Sequence, residues 1–148
     1  MSGVNVVLSA GEIALVATTA KTVIEITAAS NHRVLIEEIS FMFDGVTVSN
    51  QPVFVEEIVI GTTGTGTGGT VNKRGDYGET PELSYKYNMS AEPTGITVVK
   101  RYNIHPQAGI LIPLPITRPI PIPGGDLWGL RMTANENVNV VVNVEANE

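Results

Sequence analysis

The chain has no cysteine, which excludes disulfide scaffolds and thiol catalysis and leaves the redox compartment unread. Aromatic residues make up only 5% of the 148 positions, so a stacking platform for sugars or bases is thinly supplied. No run of about 20 apolar residues occurs, and no basic segment leads into an apolar one at the N-terminal end, so neither a spanning helix nor a signal peptide is expected. Positive charge is also scarce. Nine Lys and Arg stand against fifteen Asp and Glu, for a net charge of −6, and only Lys73-Arg74 and Lys100-Arg101 are adjacent. A nucleic-acid binder normally carries a basic patch, so that role is not expected. The two histidines, His32 and His105, lie far apart in turn-like sequence without a His-x-His pair, so no imidazole metal site and no cofactor is expected.

What is abundant is Val, Ile and Thr, punctuated by 15 Gly and 9 Pro, a composition that favours strands. The length suits one domain able to bury about 70% of its unfolded surface. Residues 4–8 read as a short strand or, within 1–10, an N-terminal arm. Ser9-Ala-Gly-Glu12 has capping-box spacing, but the β-branched residues after it carry no helical stripe, so 12–18 and 21–28 read as strands. In 33–43, Leu35, Ile39, Phe41 and Phe43 share one face, and Glu37 falls on it too, which requires a bulge or a wet sheet end. A strand follows at 52–60. The low-complexity tract 61–70, Gly-Thr-Thr-Gly-Thr-Gly-Thr-Gly-Gly-Thr, offers no core side chain, so 61–82 reads as a mobile loop. Short strands at 83–87 and 96–104 precede a proline-rich stretch, and a hairpin of 127–133 and 138–144 closes the pattern. In that hairpin Trp128, Leu130 and Met132 share a face, and Val138, Val140, Val142 and Val144 point inward. The whole predicts a single all-β domain over 1–148, an antiparallel sandwich with jelly-roll topology preferred and an immunoglobulin-like Greek key as the alternative.

Residues 110–123 organise the rest. Their prolines stand at 113, 115, 119, 121 and 123, all odd. In an extended chain successive amides point to alternate sides, so one flank of this segment lacks donors and cannot carry a normal ladder. The even positions Ile112, Leu114, Ile116, Ile120 and Ile122 put aliphatic groups on one face. The segment reads as an edge strand or arm, either crossing its own domain or packing on a neighbouring subunit. On the second reading those five residues are candidate intersubunit contacts, joined by the N-terminal arm.

Motifs for chemistry dissolve on inspection. Gly64-Thr-Gly-Thr-Gly-Gly69 matches a dinucleotide fingerprint in letters only, because no helix follows to receive phosphate. Arg74-Gly-Asp76 and Asn88-Met-Ser90 are short matches without supporting context. Glu37-Glu38 and Glu56-Glu57 each place neighbouring carboxylates on opposite faces of a strand, so neither pair forms an acid/base couple. There is no Gly-x-Ser-x-Gly elbow. Tyr77, Tyr85 and Tyr87 are the only clustered aromatics and are the candidate ligand-loop residues should the domain read a glycan or receptor, as the head of a phage fibre or spike does.

The ending Ile122-Pro-Gly-Gly-Asp-Leu-Trp-Gly-Leu-Arg-Met-Thr-Ala134, followed by an alternating Asn/Val strand, resembles small auxiliary head proteins of tailed bacteriophages, the decoration or cement proteins. The resemblance covers the last third of the chain directly. It implies a homotrimer on the exterior of the virion capsid that binds the major capsid protein and clamps the shell, without catalysis. A structural virion protein is therefore the expected function.

Overall fold

The computed structural model describes residues 3–45, 51–75 and 78–148. Its strands pair as a nested set, every pair antiparallel. β1 (Asn5–Leu15) pairs with β12 (Val138–Asn147), and β2 (Lys21–Thr27) with β11 (Leu127–Thr133). β3 (Val34–Phe43) pairs with two strands lying end to end, β9 (Gly109–Pro113) and β10 (Ile120–Ile122), and β4 (Val53–Ile60) pairs with β8 (Thr97–Ile104). Early strands thus meet late strands in reverse order, as in one long hairpin. Rolling that hairpin gives two sheets, one ordered β10-β3-β12-β1-β6 with β9 also on β3, the other β5-β7-β2-β11-β4-β8. This is a jelly-roll β-sandwich, and the described residues include no helix.

Period-two patterning places the core between the sheets. Val138, Val140, Val142, Val144 and Ala146 from β12 meet Trp128, Leu130 and Met132 from β11, all buried. The N-terminal segment is not an arm. Val6, Leu8 and Ala10 are buried, and β1 runs between β12 and β6 in the interior of its sheet. The expected break between residues 8 and 12 is only a register shift between Ala10 and Ile13, so one strand spans both halves. In β3 the bulge falls at Glu37, where the partner register steps from Glu38 to Ile36. The extra residue turns Glu37 out and exchanges faces below it, so Val34 and Ile36 are buried and Leu35 is half-exposed.

The insert between β4 and β8 also differs from the expected mobile loop. It contains β5 (Thr65–Gly68), β6 (Asn72–Lys73) and β7 (Ser84–Ala91). β7 extends one sheet beyond β2, β6 extends the other beyond β1, and β5 pairs with β7. The Gly/Thr tract lacks apolar side chains, but a carboxylate across the sheet holds it. Glu25, fully buried on β2, accepts from the Thr63 hydroxyl and from Gly64 N at 3.1 Å. Lys86, opposite Glu25 on β7, reaches Thr63 Oγ1 at 2.9 Å and Gly64 O at 3.1 Å. Polar contacts do here what burial does elsewhere.

Candidate interaction surface

The insert adds β6 beyond β1, at Val6 and Val7 only, and β7 with β5 beyond β2; on the opposite side the sheets end in β9–β10 and in β8. Each of these is blunted. On β9, Leu114 N donates to Glu37 O at 2.8 Å and Phe43 N to Ala108 O at 3.1 Å, so even-numbered residues face β3 with their hydrogen bonds. Odd-numbered ones face solvent, and Pro113 and Pro121 put their missing donors on that outer flank. β8 carries Lys100 and Arg101 together with a bulge at Val99, the usual defences of an edge without proline.

The five aliphatic residues expected to form an outward row divide. Ile122 is 1% exposed and belongs to the protein's own core. Ile112, Leu114 and Ile120 are half-buried and pack against that core. The even face is therefore turned inward, because the residues that bond to β3 continue its buried face. Only Ile116, in the link between β9 and β10, projects freely, at 95% exposure.

Beyond Ile116, exposed large apolar groups are Met42 and Leu111, which the parity argument passed over, and Val16, Phe54, Val59 and Val99 elsewhere on the described surface. Met42 is 62% and Leu111 57% exposed, and both lie on the outer face of their sheet. With Val141, directly opposite Met42 on β12, they line a shallow groove of about 340 Å³. Ile116 lies in a neighbouring groove with Leu35 and Leu114. Met42, Leu111 and Ile116 thus expose apolar surface in two grooves beside the proline-notched edge. The sequence signal that locates Met42 and Leu111 is the complement of the one used: odd positions of β9 and even positions of β3 beyond the bulge.

Tyr85 and Tyr87 do not form a loop platform. Tyr85 is 5% exposed, and its hydroxyl donates to Ser9 O at 2.9 Å, with Thr70 O at 3.2 Å, tying the insert to β1. Burial raises its pKa above the usual tyrosine value. Tyr87 packs partly against the core with its ring 6.3 Å from that of Tyr85. Tyr77 lies outside the described residues.

The acidic pair Glu56-Glu57 has internal partners. Glu56 binds Arg131 through Nε at 3.0 Å and Nη2 at 2.9 Å, with Arg101 at 3.4 Å, while Glu57 accepts from Trp128 Nε1 at 3.2 Å. At one end of the sandwich Asp44 accepts from the backbone and side-chain amides of Asn139, which lowers its pKa. At another place His32, isolated in sequence, meets Glu82 and Glu148. No helix among the described residues is long and apolar enough to cross a membrane. Comparison with protein-family models, curated proteins and solved structures found no match.

Proposed function

We propose that the chain is a structural assembly protein of the capsid-decoration kind. On this reading copies associate through the apolar grooves beside β9 and seat on a shell of major capsid subunits, and the protein performs no chemistry. The observation that carries it is the exposure of Met42, Leu111 and Ile116 along an edge whose outer flank is interrupted by prolines. Prolines forbid indiscriminate ladder growth there, while apolar side chains remain for a matched surface. Complete burial of each would contribute about 1.5–3 kcal/mol before the ordering costs of association. The ending that resembles decoration proteins supports the same reading, and a homotrimer is the assembly it implies.

Two measurements test it. Light scattering on the purified protein should give a mass above that of one chain, and Leu111→Asp with Ile116→Asp should lower it while circular dichroism stays unchanged. Wild type that remains single at hundreds of micromolar overturns self-association. Co-sedimentation with empty phage shells tests the capsid partner, and protein left wholly in the supernatant refutes that part.

A further inference from the structure

Three donors from separate parts of the chain converge where β12 runs out. His32 sits in the turn between β2 and β3, Glu82 lies just before β7, and Glu148 follows β12. His32 Nδ1 is 3.3 Å from a carboxylate oxygen of Glu82 and 3.3 Å from one of Glu148. The donor atoms of all three lie within 4.8 Å of one another.

Hydrogen bonding alone accounts poorly for this arrangement. A ring nitrogen has one in-plane lobe and, when protonated, aims it at one acceptor. Both distances exceed the roughly 2.7–2.9 Å of a charge-assisted bond. They do match the edge of a coordination tetrahedron: metal–ligand bonds of about 2.0–2.2 Å set ligand atoms roughly 3.3–3.5 Å apart. The remaining edge, between the carboxylates, closes by rotation of Glu82, whose side chain is half-exposed.

The surroundings suit a cation. The Glu148 side chain is 5% exposed, and its carboxylate accepts from Glu82 N at 3.0 Å and Leu83 N at 2.8 Å. Such amides fix a ligating carboxylate in place. The cleft beside it, about 450 Å³, is lined by Val4, His32, Glu79, Thr80, Glu82 and Glu148, three carboxylates with one imidazole.

We propose that His32 Nδ1, Glu82 and Glu148 bind a divalent transition cation of the Zn²⁺ class, leaving its fourth position open to the cleft. The imidazole selects this class over Mg²⁺ and Ca²⁺, which prefer all-oxygen sites. The cation would fasten the insert to the β2–β3 turn and to the end of β12.

The test is titration of metal-stripped, untagged protein with ZnCl₂ alone, followed by calorimetry and thermal unfolding. Expected are one Zn²⁺ per chain, a midpoint raised by about 5–10 °C at a hundredfold excess over Kd, and no response to MgCl₂. Glu82→Gln and His32→Gln should each weaken binding at least tenfold. Glu82→Gln changes only a half-exposed group, so its metal-free midpoint should match wild type. Wild-type ¹⁵N spectra, which need no variant, should show Zn²⁺ shifting the His32 Nδ1 resonance. An absence of uptake at millimolar Zn²⁺, unchanged affinity in both variants, a silent His32 Nδ1, or equal binding of Mg²⁺ would each overturn the site.

Discussion

At the scale of single residues, buried polar groups do the least replaceable work. Glu25 is fully buried, yet it satisfies Thr63 and Gly64 in a segment that has no apolar means of attachment. Glu25→Ala should cost about 1–3 kcal/mol in urea unfolding, because it removes the shared acceptor of two hydrogen bonds and truncates a fully buried side chain. Glu25→Gln, which keeps an acceptor, should cost less than half as much. Hydrogen exchange should show amides of 63–68 opening faster in Glu25→Ala, and unchanged protection there would refute the link. Tyr85 supplies a pH effect. Burial raises its folded-state pKa above about 10, so the folded state holds the phenol proton more tightly than the unfolded chain does. Stability is then intact below about pH 10 and falls as pH rises through the folded-state value. Urea midpoints at pH 8, 10 and 11 should fall less steeply in Tyr85→Phe than in wild type. Equal slopes would exclude Tyr85 as the group responsible.

At the scale of elements, the edges decide how the molecule meets others. Pro113 and Pro121 stand on the donor-free flank of the β9–β10 edge. Restoring donors with Pro113→Thr and Pro121→Thr should produce heterogeneous, concentration-dependent growth in light scattering. An unchanged, single mass would show that the prolines do not guard this edge. Elements were also where sequence reading was strongest and where it slipped. The alternation of β11 and β12 was legible, as was the need for a bulge near Glu37, because one-sided burial imposes period two. The faces of β9 and β10 were not, because parity separates two faces without saying which one meets the core. That depended on pairing with β3, a non-local fact. The order in β5 was equally hidden, since it comes from a carboxylate some forty positions away in the chain. His32, Glu82 and Glu148 share no local spacing, so only the fold reveals their convergence.

At the scale of the whole molecule, the sandwich keeps two sides apart. On one the insert extends both sheets beyond β1 and β2, and the other carries the two blunted edges. Assembly and cation binding therefore fail independently: Leu111→Asp with Ile116→Asp should leave Zn²⁺ affinity unchanged, and Glu82→Gln should leave solution mass unchanged. The nested order of pairing also bears on how the chain reaches its shape. Bringing β1 to β12 first would close a loop containing nearly every residue. Once the innermost partners β4 and β8 have met, each successive ladder adds only short connections to a ring already formed. Because closure entropy grows with the length of free chain, the least costly route zips from the middle of the sequence toward both ends, and β1 and β12 come together last.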